Sequence, residues 1–487
     1  MGYAVNPEDL PVPGRDTYFW LGEINKASAV INSDEGLLEP DVARRLAHGL
    51  QKMLESGSQP NAPRPSLVIT FEPLLIEAAG VEATLLHAGR SSQDMLTTAS
   101  ATITRDAVLK LVSQLHATTR RLLVLAENHK STLVPNYTNG VAAQPNTYGH
   151  YLLGHIAGFH RDAERLQQFY ARLDRCAMGT TVLNGTSWPL NRERMAKYLG
   201  FPAPVDNAYD AAQISAAEWP VEIGSIASQI ALHASAYIQD VMVQYAQPKP
   251  WILLQEGGEN TYVSSAMPQK RNPGLLIRTR AEASRVISLG VGRAIQGHNL
   301  PPGMFDAKDL GDNLAVVNGA TGVVNDLHRI LDALVIDGER SLKELDLDWT
   351  ASQELADILM REHKVPFRVG HHFASEVVRY AKSNDLYPSN FPYAEASRIF
   401  AETLAHTNLV NEGYRFLSEQ EFREALDPAG IIKRRATSGG PQPQEMERMI
   451  SGSQKTLNDL ECWVQERKSH IENSLGELNA AFQTLLQ

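Results

Sequence analysis

The chain has 487 residues, 43% of them hydrophobic and 21% charged, the balance of a globular protein with a sizeable core. A formal net charge of -11 excludes the clustered basic face of a nucleic-acid binder. No apolar run approaches the roughly 18 residues of a membrane span, so no membrane partner is expected.

The start, "MGYAVNPEDL", has no cationic region leading into an apolar core, so no secretory signal is expected. Two cysteines, Cys176 and Cys462, provide neither a disulfide framework nor a metal spacing. These features point to a reducing, cytoplasmic setting with no metal and no cofactor. "ESGSQPNAPRPS" (55–66) reads as a loop, and a long helical pattern covers roughly 104–131. "VPNYTNGVAAQPN" (134–146) bends between helices. Leu152, Ile156, Phe159, Ala163, Leu166, Phe169 and Leu173 then recur at steps of three and four, one apolar helix face. His150, His155 and His160 recur every five residues and share no face, so packing or surface histidines are expected rather than a metal site. Trp188, ahead of a helix start, is expected to pack against apolar neighbours.

A second striped helix carries Ile223, Ile226, Ile230, Ala234, Tyr237 and Val241, and further helices follow at about 273–298 and 312–335. Five long helices without βαβ alternation predict an all-α protein built on a central long-helix bundle. The expected units are 1–112, a smaller N-terminal helical domain; 113–360, the bundle; and 361–487, a smaller C-terminal helical domain. The tail from 441 reads as one or two surface helices, and "KRR" at 433–435 as a solvated patch.

The longest irregular segment, "QEGGENTYVSSAMPQKRNPG" (255–274), holds a serine six residues ahead of a lysine, next to a helix start. Long loops in compact domains carry function more often than not, although a polar structural turn is the alternative. A serine hydroxyl needs activation to act as a base. Lys270 brings positive charge, Asn272 and Pro273 open a helix whose exposed N–H groups favour anions, and Gly257 and Gly258 allow hinge motion. No G-x-S-x-G or S-x-x-K hydrolase signature is present.

"SSAMPQKRNP" resembles the "GSSxMPxKxNP" signature of the fumarase/aspartase superfamily. The chain is most similar to the argininosuccinate lyase branch, through "INKASAVINSDEGLL" (24–38), "LLHAGRSSQD" (85–94), "NYTNGVAAQPNTYGHYLLGH" (136–155), "GTSWPLNRERMAKYLGF" (185–201), "VPFR" (365–368) and "LDPAGIIKRRATSGG" (426–440). The resemblance implies a homotetramer with each active site shared among subunits. It implies β-elimination from a succinyl-type carboxylate, leaving fumarate. By position, Ser264 is the base, and Lys270 and Asn272 hold the carboxylate that gains charge. Thr138 with Arg90, Ser91, Ser92 and Gln93 holds the succinyl group, and Met267 and Asn139 complete the expected binding set. His87, ahead of this segment, either bonds the loop backbone or touches substrate.

Departures from the family pattern are as informative. Asn139 stands where the family's histidine helps protonate the leaving nitrogen, and Ile277 stands where its partner glutamate would be. Losing both is coherent, because a buried glutamate without its histidine is an uncompensated charge. The family segment that grips the arginine end aligns with "GMFDAKDLGDN" (303–313), which has Met304, Asp306 and Asp309 instead. The expected activity is therefore C–N elimination from an N-substituted aspartate other than argininosuccinate. The alternatives are a cycloisomerase like the carboxymuconate-lactonizing branch, a lyase with a non-nitrogen leaving group, or an inactive binding homologue.

Overall fold

The computed structural model describes residues 3–407 and 410–487. Helices α1 (Thr17–Asp34), α2 (Pro40–Gly57) and α3 (Val68–Ala79) come first, α1 capped by Asp16 accepting the Phe19 N–H. They lead to α4 (Ser92–Asn128), a helix of 37 residues that begins well before the expected 104. Its first half hides from an apolar-periodicity reading because Thr97, Thr98, Ser100, Thr102 and Thr104 are buried there. Thr98 donates its hydroxyl back to the Asp94 carbonyl, which lets a small polar residue sit inside.

Where only a bend was expected, β1 (Leu133–Thr138) and β2 (Val141–Thr147) form an antiparallel hairpin. Then α5 (Tyr148–Leu173), the short α6 (Arg192–Tyr198) and α7 (Ser215–Gln244) follow. All the apolar positions expected to line the α5 and α7 stripes are buried. After β3 (Ile252–Leu254) come β4 (Tyr262–Val263) and β5 (Arg271–Asn272), then α8 (Gly274–Gly297) and α9 (Leu310–Asp332). The short strand β6 (Leu334–Ile336) returns to pair with β3.

Helices α4, α5, α7, α8 and α9 pack against one another as the bundle. The protein is all-α in class, with strands only as two-stranded ribbons among the described residues. Helices α7 and α8 cross at glycine: a Cβ on Gly290 would stand 2.4 Å from the Gly224 carbonyl oxygen. Inside the bundle's flank, the buried Arg105 guanidinium donates to Asp174 at 2.9 Å and to the carbonyls of Leu199 and Gly200.

Beyond α10 (Gly338–Leu347), a second apolar cluster from Trp349 to Ile431 gathers α11 (Gln353–Arg361), α12 (Phe367–Ser383), α13 (Tyr393–His406), α14 (Glu419–Ala425) and α15 (Pro428–Arg434). The tail is one helix, α16 (Pro443–Leu485), rather than surface helices. Its Leu457, Leu460, Val464, Ile471, Leu475, Leu478 and Phe482 join the core of the bundle and of α1–α3. Two smaller expectations also change. Trp188 is about half exposed, and within "KRR" Arg435 reaches the buried carboxylate of Glu354 at 3.4 Å. No helix among the described residues is long and apolar enough to cross a membrane.

Candidate active site

Strands β4 and β5 pair Tyr262 with Asn272 and Val263 with Arg271. One more bond, from the Ser264 N–H to the Lys270 carbonyl at 3.3 Å, extends the register so that Ser264 lies opposite Lys270. Opposed residues on an antiparallel ribbon project to the same face. The six-residue spacing is thus that of a hairpin, and residues 265–269 make its turn. The Ser264 Oγ accepts the backbone N–H groups of Ala266 (3.3 Å) and Met267 (3.2 Å). An oxygen facing two fixed donors, with an ammonium across the ribbon, is arranged to carry negative charge.

The tip of this loop, Met267 included, is exposed, but its base is tied down. Leu275 donates to the Asn260 carbonyl, Gly257 to the Thr261 hydroxyl, and Glu259 bridges Arg278 and Arg329. Gly257 and Gly258 have φ of 93° and 55°, the left-handed region glycine enters freely. Asn272 is half-buried at the ribbon's end, one residue before Pro273 caps α8.

Thr138 ends β1, and the next two residues, Asn139 and Gly140, have φ of 54° and 76°. That is the two-residue hairpin turn for which Asn-Gly is the preferred pair. Asn139 therefore has a local reason to stand at the tip. Beneath the hairpin lies a cavity of about 540 Å³, rimmed by Thr138 and Asn139 and walled in part by α5 and α7.

The segment Arg90 to Gln93 opens α4. Ser91 caps the helix in a reciprocal box with Asp94, whose carboxylate also accepts the Thr180 and Thr181 N–H groups. Arg90 points inward and donates to the neutral oxygens of Asn25 (3.1 Å) and Ser28 (3.0 Å). Burial without a bonded carboxylate pushes its guanidinium down to about 10. Arg90 and Ser91 thus position the segment, while Ser92 and Gln93 reach its surface. The Gln93 Oε1 accepts from Gln213, and the Gln213 Oε1 accepts the Gly303 N–H at 2.7 Å. Gln213, which the sequence reading missed, lies in a π-helical turn, Asp210–Ile214, a form of backbone that recurs at functional sites. Through it the 303–313 segment is fastened beside Gln93. His87 Nδ1 lies 3.5 Å from a Glu72 carboxylate oxygen.

These groups do not converge within one chain. Helix α4 is about 55 Å long at 1.5 Å per residue, with Arg90–Gln93 before it and the hairpin after it. The serine loop belongs to the hairpin end, since Trp251, just ahead of it, donates to the Tyr137 hydroxyl at 3.1 Å. At the opposite end of α8 is the 303–313 segment. The outer faces of the bundle expose Leu232, Val291 and Ile295, the last to 70%.

Residues 68–288 match a family model described as lyase, and residues 349–433 match one described as argininosuccinate lyase C-terminal. The chain is a lyase by both models, with an argininosuccinate lyase C-terminal region. This lyase is 28% identical to the argininosuccinate lyase of Methanosarcina acetivorans, over 95% of its own length and 91% of that protein. It is 27% identical to that of Methanocaldococcus jannaschii, over 94% and 92%.

Among solved structures, EDDS lyase in complex with formate superposes with a TM-score of 0.84 at 22% identity, covering 100% of this lyase and 98% of that chain. The 3-carboxy-cis,cis-muconate lactonizing enzyme of Pseudomonas putida gives 0.61 at 19%, covering 90% and 94%. Those two likenesses establish the shared fold. In the lyase, Ile277 occupies the first turn of α8 with its side chain partly exposed. Glu362, His363 and Glu421 are the one group among the described residues close enough to share a cation, and they lie in the second cluster, apart from these loops. His363 already bonds Glu421, whose other oxygen caps α14.

Proposed function

We propose that this lyase catalyses β-elimination from an N-substituted aspartate, releasing fumarate and an amine, and that argininosuccinate is not its substrate. The observation that carries the reading is the Ser264 Oγ held by two N–H donors opposite Lys270. As an alkoxide, Ser264 takes the proton from the carbon beside a carboxylate. The electron pair left behind first loads that carboxylate with nearly a second charge, which Lys270, Asn272 and the start of α8 meet. It then forms the carbon–carbon double bond as the C–N bond breaks, its electrons leaving with nitrogen.

Thr138, Ser92 and Gln93 hold the succinyl unit. Because these groups lie at both ends of a long bundle, the site is completed by other copies of the chain, in a homotetramer. With Asn139 and Ile277 in place of an acid pair, the leaving nitrogen departs without a protein acid. Substrates with weakly basic or already protonated nitrogen suit such a site. A cytoplasmic setting agrees with two unpaired cysteines.

The test is to incubate the protein with fumarate and a panel of amines, and with N-substituted aspartates, following fumarate absorbance. Turnover with a member of the panel and none with argininosuccinate supports the reading. No turnover of any succinyl compound, beside an active family control, removes it. A second reading, cycloisomerisation, is favoured by the loss of the acid pair. Deuterium placement in the product separates the two.

A further inference from the structure

The cavity of about 540 Å³ beneath the hairpin is lined by one acidic side chain, Asp240, an exposed residue near the end of α7. The Tyr151 hydroxyl donates to one of its carboxylate oxygens at 2.7 Å, and among the described residues Asp240 has no cationic partner. Gln244 follows one turn later on the same helix face and lines the same wall. It is 2% exposed, and its Oε1 is enclosed by protein rather than open to the cavity. The rings of Tyr151 and Trp251 complete that side.

A carboxylate without a counter-charge and aromatic faces favour the same visitor. It is a cation that donates hydrogen bonds and carries some apolar body. The lining contains no Lys or Arg, so a carboxylate or phosphate ligand finds no counter-charge there. The volume falls within the roughly 300–1,000 Å³ usual for small-molecule sites, well beyond what ammonia needs.

We propose that this cavity binds an organic ammonium, of arylalkyl or alkyl type, and is the subsite for the amine half of the reaction. The second clause rests on the lyase reading above, because Thr138 and Asn139 form both the rim of the cavity and part of the proposed succinyl site. Asp240 sets the charge preference. The aromatic wall sets the orientation.

The test is calorimetric titration of the full-length protein with benzylammonium chloride, with benzyl alcohol as the neutral analogue and benzoate as the anionic one. Benzylammonium is expected to bind at least tenfold more tightly than benzyl alcohol, with benzoate undetected. Asp240→Asn keeps the shape and an acceptor for Tyr151, and is expected to lower benzylammonium affinity at least tenfold without changing that of benzyl alcohol. Asp240→Ser is read in the same way should Asp240→Asn lower the melting temperature.

Equal benzylammonium affinity in native and variant proteins, or no heat with any of the three, overturns the proposal. A parallel fumarate assay separates it from the lyase reading. Asp240-dependent binding without any fumarate chemistry keeps the ammonium site and removes the lyase assignment. Fumarate chemistry whose amine affinity ignores Asp240 does the reverse.

Discussion

The backbone N–H of Met267 points at the Oγ of Ser264 across 3.2 Å, three residues away on the same turn. This contact holds the serine oxygen in place before any substrate arrives. Ser264→Ala is expected to lower kcat on the proposed N-substituted aspartate by at least 10²–10⁴-fold, the usual contribution of a positioned base. The loop tip is exposed, so the melting temperature should not move. Fumarate absorbance and a thermal scan check both halves.

Lys270 stands opposite that serine and, in the proposed mechanism, faces a charge that grows only as the proton leaves. Lys270→Met is therefore expected to lower kcat by about 10²–10³-fold while changing KM much less. A rise in KM with kcat intact would assign the ammonium to ground-state binding instead.

Asn139 has φ of 54°, a conformation that histidine also tolerates better than most residues. The double variant Asn139→His with Ile277→Glu should restore an acid pair when the copies assemble. Its rate with strongly basic leaving amines should rise about 10²-fold or more over the parent, with little gain from either single change. The measurement is the slope of log kcat against the leaving amine's pKa, which should flatten.

Asp106 is buried with its Oδ2 unbonded and Arg15 3.9 Å away, and burial pushes its carboxyl up to about 6. The folded state thus holds this proton more tightly than the unfolded chain does. Its contribution to stability is full below pH ~4 and is lost as pH rises through about 6. Two units correspond to about 3 kcal/mol at most. Asp106→Asn should match the parent near pH 4 and exceed it by up to that amount near pH 8, read as the difference between urea midpoints.

Much of the architecture was legible because long amphipathic helices announce themselves. Ile156, Phe159 and Leu166 in α5, and Ile223, Ile226 and Ile230 in α7, are buried as their spacing requires. The start of α4 was not legible, since its inward side is built from threonine and serine that bond their own backbone. The hairpin looked like a bend because its strands carry Pro135 and Pro145 and bury Asn146 and Thr147 while exposing Val141, although Asn139-Gly140 is a turn signal in hindsight. In α16 the apolar residues are spread over 43 positions, thin enough to resemble a surface helix until the bundle covers them.

By itself the sequence determined the helical class, the long bundle and the place of the polar serine–lysine loop, because periodicity and a dense polar motif are local properties. Only the tertiary structure decided that Ser264 faces Lys270 across a ribbon, that Arg90 turns inward, and that Gln213 ties Gly303 to Gln93. Only it gathered Asp240, Gln244 and Tyr151 around one cavity. Those relationships join residues far apart along the chain, and no local pattern encodes which distant neighbour a side chain will meet.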